Sequence, residues 1–175
     1  MGEFAGLIRN AIAADAAAIT AIYGHHVLHG TATFDTIAPS IDVMASKIES
    51  FIAQGWPFLV ADEDGAVVGY AYAAQFRDRE AYRYACENSI YILSERRGHG
   101  IGKALLAALI PAAEEAGFRQ MIAVIGGGES ASVALHESCG FRHAGRMQSV
   151  GRKFDRWLDT VYMQRALGAG DDLNP

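Results

Sequence analysis

Residues 88–110 constrain the fold more than any other stretch. Asn88 to Leu93 is apolar and rich in strand formers. Arg96 to Lys103 is basic and carries glycines at 98, 100 and 102. Ala104 to Ile110 is an apolar run of good helix formers. The order is strand, tight turn, helix. A helix start leaves backbone N–H groups without partners and carries partial positive charge, and glycines let that backbone approach an anion closely. A plain helix cap that binds nothing is the alternative, and three glycines beside two arginines weigh against it.

Spacing narrows the anion. A Walker A loop would put its first glycine at position 97, which is Arg97, and a Ser or Thr after Lys103, where Ala104 stands. Gly98, Gly100 and Gly102 are spaced G-x-G-x-G, which is not the G-x-G-x-x-G of dinucleotide folds. Charge narrows the partner. The net charge is −5, so there is no basic face for nucleic acid. Arginines cluster locally instead, at 77, 79 and 83, at 96 and 97, and at 152 and 156 with Lys153, as suits a small anionic ligand.

The chain of 175 residues, 51% hydrophobic and 20% charged, reads as one soluble domain with a core at about 7–167 and a polar, frayed tail from Gly168. No stretch has the length of a membrane span, and the N-terminus lacks a basic region followed by an apolar core, so a cytoplasmic location is expected. Cys86 and Cys139 have no CxxC spacing and read as buried free thiols. His25 and His29 lie one helical turn apart, but no nearby carboxylate completes a set. No metal is expected, and His25, His26 and His29 are expected at the surface or at a subunit interface.

Periodicity places a first strand at 7–11 and a helix from Asp15 to Gly30. A second helix runs from Ser40 to Gly55 with Met44, Ile48, Phe51 and Ile52 on its apolar face. A hairpin follows at 58–73 with its turn at 62–65. A charged loop spans 76–82, and a long strand runs from Arg83 to Leu93. The third helix spans about 102–115. A strand covers 121–125 and leaves through Gly126 to Gly128, and a helix covers 130–139. A strand runs through Val150, a turn spans 151–156, and a last strand covers 158–165. An antiparallel first half and an alternating second half imply an α/β (α+β) fold.

Arg97-x-x-Gly100-x-Gly102 resembles the acyl-CoA signature R/Q-x-x-G-x-G/A of the GCN5-related N-acetyltransferases (GNAT), and the element order is similar over nearly the whole chain. Glu87 to Ile92, Ser132 to Phe141 and Val150 to Asp159 together resemble the phosphinothricin / methionine sulfoximine acetyltransferase subfamily, as does the helix segment 21–29. The resemblance implies the GNAT fold, a central mixed, mostly antiparallel sheet flanked by helices. It also implies acetyl-CoA as co-substrate, transfer to the α-amino group of a small amino-acid-like compound, and a homodimer.

The resemblance further assigns residues. Arg97, Gly98, His99, Gly100, Ile101, Gly102 and Lys103 would wrap the pyrophosphate. Backbone groups of Ile90, Tyr91 and Ile92 would hold the pantetheine arm and the thioester oxygen. Glu129 stands where the family often has an asparagine that contacts that arm, and an ionised carboxylate cannot donate a hydrogen bond there.

Attack on a thioester needs a neutral amine, whereas an amino acid's amine is protonated near pH 7. Glu87, a carboxylate in an apolar strand, is the expected base; pairing with Arg83 or Arg77 is the structural alternative. His136 stands where many relatives have a proton-donating tyrosine, and it is either that donor or a hydrogen-bonded structural residue. Arg77 is expected to clamp the acceptor's carboxylate. Asp78 and Arg79 beside it replace residues that are often Ser and an aromatic. Phe34, Tyr82 and Trp157 are candidates for the acceptor pocket. Two other readings use the same fold: a non-catalytic acyl-CoA sensor, and acetylation of a peptide or protein amine.

Overall fold

The computed structural model describes residues 4–172. Its strands are β1 (Leu7–Asn10), β2 (Phe58–Glu63), β3 (Ala66–Gln75), β4 (Ala85–Ile92), β5 (Gln120–Gly126), β6 (Arg142–Lys153) and β7 (Arg156–Ala166). Its helices are α1 (Ala16–His29), α2 (Ile41–Gln54), α3 (Ile101–Glu115) and α4 (Ser130–Ser138). The strands form one sheet in the order β1-β2-β3-β4-β5-β7-β6. Every neighbouring pair is antiparallel except β4 and β5, which run parallel.

Alternation along the strands sends side chains to two cores. On β2, Phe58 and Val60 join Ile19, Ile22, Met44, Ile48 and Phe51 under α1 and α2. Leu59 and Ala61 face the opposite side with Leu105, Leu106 and Leu109 of α3. The same alternation on β4 puts Tyr91 in the α1/α2 core, and packs Cys86, Ile90 and Ile92 into the α3 core.

Helix ends fall where their chemistry predicts. The Ser40 hydroxyl accepts from the Val43 N–H and opens α2, and Gly55 closes it with φ 69°. Ile52 does not share the buried face of α2 and is exposed. It stands about 100° round the helix from Phe51 and about 80° from Met44, at the edge of the buried stripe.

The last hairpin differs from the sequence reading. β6 runs on to Lys153 instead of ending at Val150, and the turn is only Phe154 and Asp155, with φ of 51° and 57°. Two left-handed residues make the tight hairpin turn whose twist matches the flanking strands. Gly151, expected in the turn, is inside the strand, where a Cβ would collide with the Phe34 ring. Residues 168–172 form hydrogen-bonded turns rather than a frayed end, and residues 173–175 of the expected tail lie outside the described residues.

Leu105 is fully buried between α3 and the sheet. Leu105→Ala is expected to lower the unfolding free energy by about 2–5 kcal/mol, read as a reduced urea midpoint.

Candidate active site

The site begins where the one parallel ladder stops. β4 and β5 pair from Ala85↔Gln120 to Asn88↔Ala123 and no further. Beyond that point the strands diverge, and a cleft of about 50 Å³ opens between them, lined by Ser89 to Tyr91, Val124 to Gly126, Glu129 and His136 among others.

The hydrogen-bond phase of β4 decides what faces this fork. Leu93 N–H bonds to Val68 C=O and Phe76 N–H bonds to Ala85 C=O. Odd-numbered residues of β4 therefore exchange bonds with β3, and the backbone groups of even-numbered ones turn toward β5. Ile90 presents its N–H and C=O to the fork. Ile92 does too, and its C=O accepts a hydrogen bond from His26 Nε2 at 2.9 Å. Tyr91 does not: its backbone is committed to Tyr70 of β3, which corrects its expected place among the backbone ligands.

The turn after β4 opens onto a start of α3 without a side-chain cap. Gly98 and Gly100 take φ of 80° and 79°, and Gly100 is the N-cap of α3 with no side-chain cap on the helix start. A Cβ on Gly102 would lie 3.0 Å from Ile92 Cδ1 and 3.1 Å from Leu135 Cδ2, so this residue sets the close packing of α3 on β4 and α4. Arg96 is paired with Glu63. Arg97 is exposed, with its guanidinium 3.4 Å from His26 Nδ1. His99 and Lys103 are exposed, whereas Ile101 is buried, so Ile101 can offer only its backbone.

Asn88, to which the sequence assigned no role, joins His136 in fixing the fork. Asn88, at its vertex, is buried and donates from Nδ2 to His136 Nε2 at 3.0 Å. His136 Nδ1 lies 2.7 Å from Ser132 C=O. A carbonyl only accepts, so Nδ1 carries the hydrogen and the ring is neutral. Burial pushes the His136 pKa below its ordinary value. Of its two readings, these contacts favour the hydrogen-bonded one, because both ring nitrogens are engaged. Residues of such a network carry no short-range sequence signal.

Glu129, the unusual residue at the start of α4, accepts a hydrogen bond from Thr31 Oγ1 at 3.1 Å. The loop after α1 thus fastens to the mouth of the fork. The glycines at 126 and 127 make room for it: a Cβ on Gly126 would lie 2.8 Å from Thr31 C=O. The same loop is tied to the last hairpin by buried Lys153, whose Nζ donates to Thr33 C=O at 2.9 Å.

Glu87 precedes the vertex and projects from the α1/α2 face, opposite Asn88. Its side chain is one-third exposed, and Arg77 Nη1 stands 3.9 Å away. Burial raises the Glu87 pKa, and the Arg77 charge partly opposes that. Arg83, the other proposed partner, instead pairs with Glu80. Asp78 and Arg79 are exposed beside Arg77, and Gln75 Nε2 donates to the backbone carbonyls of Arg77 and Arg79 and holds that loop. Phe34 packs against Gly151, Tyr82 edges onto Phe76, and Trp157 is 64% exposed. His25 and His29 are exposed but His26 is buried, contrary to the expectation of three surface histidines. Its apolar neighbours on α1 turn it toward the sheet. Among the described residues no group of three or more His, Cys, Asp or Glu is placed to hold a metal ion, and no helix is long and apolar enough to cross a membrane.

Residues 8–162 match the family model described as an acetyltransferase (GNAT) domain. The chain belongs to the GNAT acetyltransferase family. It is 48% identical to a phosphinothricin N-acetyltransferase of Alcaligenes faecalis over 92% of this chain and 82% of that one. It is 41% identical to an L-methionine sulfoximine/L-methionine sulfone acetyltransferase of Salmonella typhimurium over 91% and 94%. Its fold superposes with a TM-score of 0.95 on the crystal structure of a GNAT superfamily phosphinothricin acetyltransferase from Sinorhizobium meliloti in complex with AcCoA. That pair shares 49% identity and covers 97% of this chain and 92% of the other.

Two neutral buried histidines at an acetyltransferase fork have a measurable consequence. Burial lowers the pKa of both His26 and His136 in the folded chain, so below about pH 6.5 the unfolded chain binds more protons than the folded one. Unfolding free energy should therefore fall between pH 7.5 and 5.5. The fall should be smaller in His136→Gln, which cannot titrate. Urea unfolding at the two pH values checks this, and stability that rises on acidification contradicts it.

Proposed function

We propose that this GNAT enzyme transfers an acetyl group from acetyl-CoA to the α-amino group of phosphinothricin, methionine sulfoximine, methionine sulfone or a similar small amino-acid-like compound. One observation carries the reading: a carboxylate, Glu87, with a guanidinium, Arg77, beside it, stands at the vertex of a backbone fork that leads to an anion-binding turn. The relatives named for these acceptors support the substrate class.

The free N–H groups at the start of α3, with Arg97, suit a pyrophosphate. The Ile90 N–H and C=O suit the amides of a pantetheine arm, which acts as a substitute strand. The thioester supplies the acetyl group at the vertex. An open fork gives access from both faces, so an amine on the α1/α2 side can reach the thioester carbon. Arg77 is assigned the acceptor's carboxylate, as a guanidinium fork matches it. Glu87 is assigned the ammonium proton. The amine nitrogen then bonds to the carbonyl carbon, the C–S bond breaks, coenzyme A leaves as a thiolate, and the nitrogen gives up its second proton to water. With a thiol pKa ordinarily near 8.5, that thiolate takes its proton from water. His136 is assigned to positioning, through Asn88 and Ser132.

Glu87→Gln is expected to lower kcat by about 10²–10⁴-fold while the KM for acetyl-CoA stays unchanged, read by thiol release with methionine sulfoximine. Because the Glu87 pKa is raised above 4.5 and the base must be ionised, wild-type kcat should climb with pH through a value above 4.5. That limb should be missing in the variant. Unchanged turnover in Glu87→Gln at neutral pH would remove Glu87 from this role.

We also propose a homodimer formed through the last hairpin. β6 is an edge strand exposed along nearly its whole length, and Met147, Val150, Phe154 and Trp157 are exposed on or beside it. Sedimentation should give twice the chain mass, and Trp157→Lys should shift it toward the single chain; a monomeric wild type overturns the proposal. Cys86 and Cys139 are free and buried, in keeping with the reducing cytoplasm we propose as its location.

A further inference from the structure

The C-terminal end of α1 holds a cluster that the mechanism leaves without a role. His25, His26 and His29 share a hollow of about 190 Å³ with Arg97, Glu129 and Arg156. His25 and His29 stand on the surface, whereas His26 is 5% exposed. Its Nε2 lies 2.9 Å from Ile92 C=O, so Nε2 carries a hydrogen. In the neutral ring Nδ1 is then an acceptor, and the Arg97 Nη2 3.4 Å away donates to it. The two partners are the last residue of β4 and the first recognition residue of the donor turn. A single imidazole therefore braces the corner between fork and turn.

The other groups facing His26 are the Tyr91 ring of β4 at 5.2 Å, His25 on its own helix at 6.1 Å, and Glu129 at the head of α4. Protonation would place a hydrogen on Nδ1, opposite the guanidinium. The hydrogen bond would be lost and two like charges would meet. Burial resists this and keeps the ring neutral near pH 7.

We propose that His26 is a positioning residue for acyl-CoA binding: while neutral it holds the Arg97 guanidinium and the Ile92 carbonyl in their binding arrangement, and once protonated it releases Arg97. The proposal rests on reading the Arg97–Lys103 turn as the pyrophosphate site.

The test is kcat and KM for acetyl-CoA from pH 5.5 to 8 in wild type, His26→Gln, Arg97→Ala and the double variant. Glutamine keeps an N–H near the Nε2 position, removes the Nδ1 acceptor and does not titrate. His26→Gln should raise KM for acetyl-CoA by about three- to tenfold at pH 7.5, the loss of one hydrogen bond, with kcat nearly unchanged. It should add little further in the Arg97→Ala background, as expected for residues acting as a unit. The wild-type KM should also rise more steeply on acidification than that of either variant. The phosphate monoester of coenzyme A titrates in that range too, so the readout is the difference between proteins. An equal effect of His26→Gln in both backgrounds, or an unchanged KM, overturns the proposal and leaves the donor-turn reading standing. An unchanged KM in Arg97→Ala overturns both. Should His26→Gln fail to fold, the wild-type and Arg97→Ala pH profiles decide, and identical profiles overturn the proposal.

Discussion

A β-sheet does not ordinarily leave backbone groups unpaired in its middle, because each unmet N–H or C=O costs free energy. Here the ladder between β4 and β5 stops at Asn88↔Ala123 with strand remaining on both sides. The unmet pairing is the binding capacity of the molecule. β3 holds β4 through its odd residues and β7 holds β5 along its full length, so the two strands stay ordered while they diverge. A ligand with amides at strand spacing completes the sheet, and the α3 start receives the charged end of the same ligand.

Holding such a gap open needs braces, and they are polar. His136 ties α4 to the vertex through Asn88, and His26 ties α1 to the open end of β4 through Ile92. Glu129 and Lys153 fasten the loop after α1 to α4 and to the last hairpin. Glycines at 102, 126 and 151 permit the close approaches this demands. On the other face Glu87 and Arg77, to which we assign the chemistry, meet at partial exposure. Partial burial raises the carboxyl pKa, and the nearby cation limits the rise.

Local signals made much of this readable. The turn was legible because a glycine-rich helix start has few other uses, and Glu87 because a carboxylate in an apolar strand must have a partner or a task. What escaped was non-local or depended on phase. Whether Tyr91 or its neighbours face the fork depends on which edge of β4 bonds to β3, and no composition encodes that. Asn88 and His136 are 48 residues apart, and Thr33 and Lys153 are 120 apart. The final turn is narrower than the expected 151–156 because Phe154 and Asp155 adopt left-handed angles that glycine would advertise and they do not.

The central claim is that the unpaired edge of β4 and the α3 start together bind acyl-CoA. Residue-resolved amide hydrogen exchange with and without acetyl-CoA tests it most directly. Slower exchange is predicted at Ile90 and across Gly98 to Lys103, with no change at Tyr91, whose N–H is already bonded to β3. Equal protection of Tyr91 and Ile90, or protection confined to other parts of the sheet, would contradict it.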